Sequence, residues 1–565
     1  MRVESNQVGE GLGGKASFLG RMISNPTTLL LVVLLFILIA AGWQKSDGFT
    51  VAVAVLGVPI LVGVLIKSFG RTDFSPPRFF NGTAKQLAWI RIIVCLSAFI
   101  LTVVEDLPAT AHLPVDFRGT SKLFHLLNGF PGYATLLSHS ELLGVLQWTT
   151  ALLLLAGLVG WGARVTLLVG GLCFFLMQAI LRQYTYSFHT GLLPLYLLFV
   201  LPWTPCAAAW SFDCRSNPAK RAASRQSVGF GVYACFAVMA VIYLFCGLSK
   251  LRDSGLDWFQ GENIQHKLLQ DTLEPIFLDH HWKATIWLVQ HDTPQFVYSL
   301  IGIVGVAAEL GYFTVLFSRT ARIVMPVVAF GVHLGILVLQ HILFLDLLIL
   351  QLVFLNADRL GAFALRRFRF RGKGEGSPRA AHHGKERRPV PLVAFASMAI
   401  MIAGLFVIWV FRIEYYPVSS WHMYSKRESN TPIFYYKMVA TLEDGRSITL
   451  PRRDYCPAVM PNSRTILHKA FNKSSQSGSF DQFLSDYVER RNRKLAFGSP
   501  ISSIEVQRWR WNYAVDPHDP RFGWITHRYL YNAVTKQAGS AALSDNDWTN
   551  SQTSLGRISM PNLQY

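Results

Sequence analysis

The hydrophobic positions of this chain fall into eleven long runs that are nearly free of charge. A run of about 17–25 apolar residues crosses the hydrocarbon core of a bilayer as a helix, since each residue adds about 1.5 Å of length. Little more than Gln340 and His341 separates the ninth run from the tenth, so these two predict either a tight helical hairpin or a re-entrant segment. The predicted spans are residues 27–43, 50–66, 86–105, 141–160, 163–181, 189–204, 228–248, 296–317, 322–340, 342–357 and 391–411.

The pattern changes after residue 411, where shorter alternating segments replace the apolar runs. Residues 433–450 predict a β-hairpin, because two β-rich stretches flank Asp444 and Gly445, a pair suited to the positive φ of a tight turn. Apolar residues show helical spacing within 464–493. Residues 506–511 alternate Arg and Trp, which is compatible with nucleic-acid or headgroup binding but is more typical of a half-buried strand near a membrane surface.

These patterns predict an all-α polytopic membrane helix bundle of about eleven transmembrane helices, followed by an α+β extramembrane domain. Residues 1–84 form an N-terminal segment with two spans, and 85–360 form the main transmembrane domain. Residues 361–390 form a basic cytoplasmic loop, 391–411 form the last span, and 412–565 form the α+β domain.

The composition supports a membrane protein, since hydrophobic residues make up 51% of the chain and charged residues only 15%. These values exclude a soluble cytosolic enzyme, a disordered protein and a secreted mini-domain. The seven cysteines are too few and too scattered for a disulfide scaffold. No nucleotide-binding loop or metal-ligand spacing occurs in the sequence, so no metal is expected.

The 53 Lys and Arg against 34 Asp and Glu give a net charge of +19. The basic residues collect in alternate loops, which is the positive-inside pattern of membrane proteins. It predicts a cytoplasmic N-terminus and an exocytoplasmic C-terminal domain, periplasmic if the source is bacterial. The basic stretch 359–388 is compatible with anionic-lipid or nucleic-acid binding, but its place between two spans favours a topology-setting loop, and no nucleic-acid partner is expected.

Two polar residues fall deep within predicted spans, where an unpaired charge costs several kcal/mol. Glu309 lies about thirteen residues from the outer end of its span, and His333 lies at a similar depth in the next one. Since the two spans are neighbours in sequence and antiparallel, a contact between Glu309 and His333 is feasible. Such a contact would serve either as a structural hydrogen bond between helices or as part of a catalytic site.

A second group of polar residues lies at the outer ends of spans. Each of them alone is an ordinary interfacial anchor, but together they share one face of the predicted bundle. A lysine partly withdrawn from water can act as a general base, and a nearby histidine can orient a substrate hydroxyl or carry its proton. The group consists of Tyr186, His189, Lys250, Asp257, Trp258 and His341.

Three segments of residues 85–360 resemble the HTTM domain, the membrane domain shared with vitamin K-dependent gamma-carboxylases. The most specific is CGLSKL followed by DWFQG, in residues 246–261. The others are FHTGLLPLYLLF, which begins at residue 188, and the series AAELGYF, SRTAR and FGVHLGI, in residues 307–336.

The resemblance implies an enzyme that uses a reduced quinone, O2 and CO2 at an outward-facing site. In the carboxylase a lysine of the first motif deprotonates vitamin K hydroquinone, which then reacts with O2 to give a base strong enough to take a proton from glutamate. By position, Lys250 would be the base, His189 would bind the quinol, and His333 would give further support. The implied partners are the lipid bilayer, a quinol and an exocytoplasmic protein substrate.

Two departures from the carboxylase pattern leave other functions open. Ser249 stands where the carboxylase has a second lysine, and the C-terminal domain is far smaller than the carboxylase's. The chain is therefore also compatible with a non-catalytic membrane scaffold or assembly factor that acts through residues 412–565. A proton-coupled transporter using Glu309 and His333 is a third hypothesis, although the sequence shows no inverted repeat.

Overall fold

A computed structural model gives the architecture of the membrane domain and of a C-terminal sheet. Its helices are α1 (Ala84–Val104), α2 (Ser140–Val159), α3 (Ala163–Arg182), α4 (Leu192–Val200), α5 (Arg225–Ser254), α6 (Gly261–Thr272), α7 (Ala284–Gln290), α8 (Gln295–Gly311), α9 (Ala321–Gln340), α10 (Leu345–Leu350), α11 (Leu392–Val410) and α12 (Ser479–Arg493), besides the short helices Tyr133–Ser138 and Phe212–Ser216 and several 3₁₀ turns. The structure describes residues 82–114, 118, 129–130, 132–184, 189–217, 223–273, 283–355, 392–413, 416–417, 419–421, 424–427, 432–450, 467, 479–494 and 496–542.

Among the described residues, six helices are long and apolar enough to cross a membrane: α1, α2, α3, α5, α8 and α9. Their bounds agree closely with the predicted spans, so a mostly helical membrane protein is confirmed. The predicted count of about eleven spans is not confirmed. The first two predicted spans lie outside the described residues, and the last one coincides with α11.

Two predicted spans are too short to cross a bilayer alone. The run 189–204 contains only α4 and one 3₁₀ turn, Leu201–Trp203, because the backbone of Gly191 has φ +80° immediately before α4 and Pro202 lies in the turn that ends it. The described part of the run 342–357 begins with three non-helical residues, 342–344, followed by the six-residue α10 and a 3₁₀ turn. Each apolar helical stretch is about 15–18 Å long, roughly half of the hydrocarbon thickness.

Helix α5 is the centre of the bundle. Of the residues in its apolar 18-residue stretch, 89% are buried inside the protein, compared with 22% for α9 and 33% for α8. The helix is apolar on all sides and its small residues allow close packing, which is typical of a fully surrounded helix. The outer helices expose large side chains such as Leu152, Ile303 and Val327, as expected for surfaces that face lipid.

The C-terminal region contains an antiparallel five-stranded sheet in the order β2-β1-β3-β4-β5. Its core lies between one sheet face and α12, with Met438, Ile504 and Phe483 buried there. The predicted hairpin at Asp444 and Gly445 and the predicted strand over 506–511 are both confirmed, whereas the N-terminal part of the helical stretch 464–493 lies mostly outside the described residues. The strands are β1 (Ile433–Leu442), β2 (Ser447–Thr449), β3 (Ile501–Trp511), β4 (Trp524–Asn532) and β5 (Gln537–Ala542).

The sheet adjoins the end of the bundle where α5 ends. Tyr435 and Trp511 pack with Leu269 of α6 and Ile286 of α7 in one apolar cluster. A segment after α11, hereafter the strap (residues 416–417, 419–421 and 424–427), connects α11 to the sheet across the same end. The bundle therefore carries a cover made of α6, the strap and the sheet.

Candidate active site

The centre of the candidate site is an ion pair between Lys250 of α5 and Glu309 of α8. The Lys250 Nζ lies 2.7 Å from Oε1 and 2.8 Å from Oε2 of Glu309. Only 10% of the lysine side chain and 21% of the glutamate side chain are exposed. Gly247 allows this close approach, because a Cβ at its position would lie 2.8 Å from Leu310 Cδ2 and 3.2 Å from Glu309 Cβ.

Trp258 covers this ion pair. Its ring centroid lies 5.7 Å from the Lys250 Nζ, within the range of a cation–π contact. The indole Nε1 donates to the Tyr424 carbonyl of the strap at 2.7 Å, and the Trp258 carbonyl accepts from Asn263 of α6 at 2.7 Å. The strap and α6 therefore fix the indole above the lysine.

The pairing gives Lys250, the base predicted from the sequence, a carboxylate partner. The carboxylate contacts the ammonium with both of its oxygens, and such charge-assisted hydrogen bonds are short and strong. The pair as a unit can still accept a proton, since the carboxylate can be protonated while the ammonium remains beside it.

His333 of α9 belongs to a second group of polar side chains, below the ion pair on α5. Its Nε2 lies 2.8 Å from the Tyr243 hydroxyl, and the Gln351 side-chain amide donates to the same hydroxyl at 2.9 Å. Gln351 in turn accepts from the Tyr312 hydroxyl at 2.7 Å. All four side chains are buried. This Tyr312–Gln351–Tyr243–His333 group is called the polar chain below.

The predicted contact between Glu309 and His333 is wrong in its pairing. Lys250 contacts both carboxylate oxygens of Glu309, while His333 is bonded to Tyr243. The two groups nevertheless belong to one site, because Tyr243, Gly247 and Lys250 are spaced to share one face of α5.

His189 lies in contact with the strap. Its Nε2 is 2.8 Å from the Ser419 hydroxyl, and its ring is tilted against Trp421 with centroids 5.1 Å apart. Ser249, at the position of the carboxylase's second lysine, donates to the Ser420 carbonyl at 3.2 Å and accepts from Trp409 of α11 at 2.9 Å. His189 and Ser249 thus hold neighbouring residues of the strap.

The remaining predicted residues divide between surface and interior. Asp257 is exposed and pairs with Arg427 at 3.2 Å, which places it at the rim of the site. His341 is fully buried and ends α9 with φ +58°, so it is not the interfacial residue that its position predicted. Tyr186 lies outside the described residues.

Another buried polar cluster escaped the sequence analysis. Asp346 of α10 accepts from the Gly191 N–H at 2.9 Å, just before α4. Arg182 at the end of α3 donates to the Gln178 side chain at 2.7 Å and to the Thr190 carbonyl at 2.9 Å. A signal was present, since Asp346 is a charge within the predicted span 342–357, and Arg182 follows directly after the span 163–181.

The arrangement suits a ligand with a hydroxyl group on an apolar ring. The ion pair offers a carboxylate acceptor beside an ammonium, and Trp258 supplies an aromatic wall. His333 adds a buried Nδ1 without a hydrogen-bond partner among the described residues. These features favour the removal of a proton from a neutral ligand in a site screened from water.

Comparison with known proteins assigns the membrane domain to a family. No curated protein and no solved structure matches the chain significantly. The family model described as HTTM domain matches residues 83–358, a range that contains the ion pair and the polar chain. Residues 83–358, just under half of the chain, therefore form an HTTM domain.

Proposed function

We propose that this protein is a membrane enzyme that uses a quinol, O2 and CO2 in the manner of the vitamin K-dependent gamma-carboxylases. The observation that carries the proposal is the Lys250–Glu309 ion pair beneath Trp258, because it sets a proton acceptor inside an HTTM domain. In the balanced reaction, the quinol and O2 supply an epoxide and water, while a substrate glutamate and CO2 give a gamma-carboxylated product and a proton.

The ion pair has the first role in this proposal. Glu309 accepts the hydroxyl proton of the bound quinol, and the Lys250 ammonium stabilises the negative charge that develops on the ligand oxygen. Because Trp258 and the strap cover the pair, this charge interacts with the ammonium in a medium of low dielectric constant. The resemblance assigns the base role to Lys250, whereas the bidentate contact favours the carboxylate as the resting proton acceptor.

Supporting roles fall to residues of the same end of the bundle. His189 keeps the strap in place through Ser419, and His333 lies beside the ion pair as a hydrogen-bonding group. Asp257 lies at the exposed rim, where it is suited to contact a substrate that enters from the side of the sheet. An exocytoplasmic protein with an accessible glutamate would be the carboxyl acceptor.

The test is quinol-dependent O2 consumption by the detergent-solubilised full-length protein. Vitamin K hydroquinone, menaquinol and ubiquinol are the substrates, and epoxide formation is measured alongside O2 uptake. Uptake in the wild type, with loss of at least 100-fold in Lys250→Met and in Glu309→Gln, is expected. The control is Arg427→Gln, which removes only the exposed partner of Asp257. Absence of uptake with all three quinols, in protein that unfolds cooperatively, overturns the proposal.

We propose an exocytoplasmic location for the sheet. Arg225, Arg319 and Arg322 support it, because these residues lie at the ends of α5, α8 and α9 away from the sheet, as the positive-inside pattern requires. Val534 is 75% exposed between β4 and β5, so Val534→Cys offers a reporter. Labelling of this variant in intact cells by a membrane-impermeant maleimide is expected, and labelling only after lysis contradicts the assignment.

A scaffold function has one observation in its favour. Beyond the part of the sheet that α12 covers, Arg508 lies over the Phe434 ring at 4.5 Å and Arg510 over the Trp524 ring at 5.5 Å. Such a basic aromatic surface suits contact with an acidic protein partner. If the quinol assay fails while Arg508→Glu abolishes the protein's cellular role, the scaffold function replaces the enzymatic one.

A further inference from the structure

The hydrogen bonds of the polar chain have a defined direction, and it determines which nitrogen of His333 carries the proton. The starting point is the Gln351 side chain, whose Nε2 lies 2.9 Å from the Leu347 carbonyl. A carbonyl oxygen only accepts hydrogen bonds, so the atom facing it must be the amide nitrogen. This contact settles the orientation of the Gln351 amide.

The second amide hydrogen of Gln351 points to Tyr243. Since the Tyr243 hydroxyl accepts this bond at 2.9 Å, its own hydrogen is available for the remaining neighbour, the His333 Nε2 at 2.8 Å. Nε2 must then be an acceptor without a proton, and the neutral ring carries its proton on Nδ1. The remaining contact of the Gln351 amide is consistent with this orientation, because its Oε1 accepts a hydrogen bond from the Tyr312 hydroxyl at 2.7 Å.

The opposite tautomer would be less favourable. If Nε2 carried the proton, Tyr243 would accept two hydrogen bonds and its own buried O–H would have no acceptor in the polar chain. The Nδ1 lone pair would be unpaired as well. A buried polar group without a partner costs about 1–3 kcal/mol, so one unpaired group is preferred over two.

The preferred tautomer leaves the Nδ1–H of His333 as a buried donor without a partner among the described residues. The residue is only 7% exposed, and the edge of its ring contacts Phe344, with centroids 5.5 Å apart. A donor in such an apolar setting suits an oxygen on an aromatic or quinonoid ring. Native proteins seldom leave a buried donor unpaired, unless a ligand or water completes it.

We infer that Tyr312, Gln351 and Tyr243 are positioning residues that hold His333 as the Nδ1–H tautomer, and that this N–H donates a hydrogen bond to a ring oxygen of the bound quinone or quinol. The hydrogen bond to the quinone or quinol, hereafter the ligand half of the inference, rests on the proposed function. The assignment of the His333 tautomer does not. Lys250 and Glu309 would then act on one ring oxygen and His333 would bind another.

The tautomer is tested by ¹⁵N NMR of the full-length protein labelled at histidine, with His333→Gln used to assign the signals. A protonated Nδ1 and an unprotonated Nε2 are expected for His333 in the wild type. Tyr243→Phe removes the hydroxyl that donates to Nε2 and is expected to shift or split these signals. Tyr312→Phe is the matched control, since Gln351 keeps both donations in it. A protonated Nε2 in the wild type overturns the tautomer assignment.

The ligand half is tested by infrared difference spectroscopy with menadione labelled with ¹³C at its two carbonyl carbons. One carbonyl band of the wild-type complex is expected at a lowered frequency, and it should move upward in His333→Phe and in Tyr243→Phe but not in Tyr312→Phe. Unchanged bands in both variants, with menadione still bound, overturn the hydrogen bond while leaving the proposed function intact. Absence of any bound menadione band in the wild type overturns the ligand half, while the proposed function is decided separately by quinol-dependent O2 uptake.

Discussion

The Lys437 ammonium on β1 lies 4.1 Å from the centroid of the Trp509 ring on β3. The Tyr435 ring lies on the same side, with its centroid 5.4 Å away. Burial, together with the charge of Lys283, lowers the pKa of Lys437 from 10.5 to about 8. The two rings offset part of this cost through cation–π contact, but desolvation dominates.

The lowered pKa predicts that the sheet becomes more stable as the pH rises from about 8 to about 10.5. In this range the unfolded chain still binds the proton of Lys437 while the folded chain has released it, so the slope of unfolding free energy against pH is positive. Below about pH 8 both states are charged and the burial cost is fully present. The measurement is the thermal unfolding midpoint, by tryptophan fluorescence, between pH 7 and pH 10.5.

The matched variant for this prediction is Lys437→Met, which keeps the length of the side chain but cannot titrate. It is expected to be more stable than the wild type at pH 7 and to lack the rise in midpoint above pH 8. If the variant shows the same rise as the wild type, another group causes it and the role given to Lys437 is wrong.

Gly247→Ala is expected to separate Lys250 from Glu309. The added Cβ would lie 2.8 Å from Leu310 Cδ2 and 3.2 Å from Glu309 Cβ, so both side chains of α8 must shift away from α5. Overpacking of this kind costs about 1–3 kcal/mol, and the variant should unfold at a lower temperature and lose quinol-dependent activity. Gly305→Ala on α8 is the control, because its Cβ would meet no atom within 4 Å. Equal stability of the two variants would contradict the close packing of α5 against α8.

Removal of one partner of the ion pair should destabilise the protein more than removal of both. Lys250→Met leaves the Glu309 carboxylate buried without its cation, and Glu309→Gln leaves the ammonium without its anion; each should cost about 3–5 kcal/mol. The double variant contains neither charge and should recover much of this loss. A double-mutant cycle in detergent, measured by chemical denaturation, checks the prediction. Strictly additive effects would show that the two charges do not interact.

Asp346→Ala should destabilise the start of α4. The Gly191 N–H would lose its acceptor while remaining buried, at a cost of about 1–3 kcal/mol. Asp346→Asn keeps an oxygen that can accept this bond and should be closer to the wild type in its unfolding midpoint. A loss of equal size in both variants would mean that the charge of Asp346, rather than its hydrogen bond to Gly191, stabilises the bundle.

The long spans could be predicted from the sequence within a few residues. The prediction of 141–160 and the observed Ser140–Val159 agree because Gly160, with φ +72°, ends an otherwise uniform apolar run. The half-length helices α4 and α10 could not be distinguished from spans. Their apolar composition is that of a transmembrane helix, and the irregular backbone around them is tolerated because the protein surrounds it.

The ion pair could not be predicted because its cover comes from distant parts of the chain. Lys250 follows the predicted span 228–248, but α5 continues to Ser254, and Trp258, held by the Tyr424 carbonyl, covers its side chain. The sequence analysis paired Glu309 with His333 because both residues lie at a similar depth in the membrane when residues are counted along each predicted span. The register between α5 and α8, set by Gly247, is a property of packing and not of either helix alone.

The strap is held by its backbone carbonyls as well as by side chains such as Tyr424 and Ser425, which donate to Asp271 and Asp253. The carbonyls of Ser420, Tyr424, Ser425 and Lys426 accept hydrogen bonds from Ser249, Trp258, Ser254 and Lys267 of the bundle. These bonds specify the path of the strap and not the identity of its side chains. The length of the strap is therefore constrained, because an inserted residue would move the following carbonyls away from their donors.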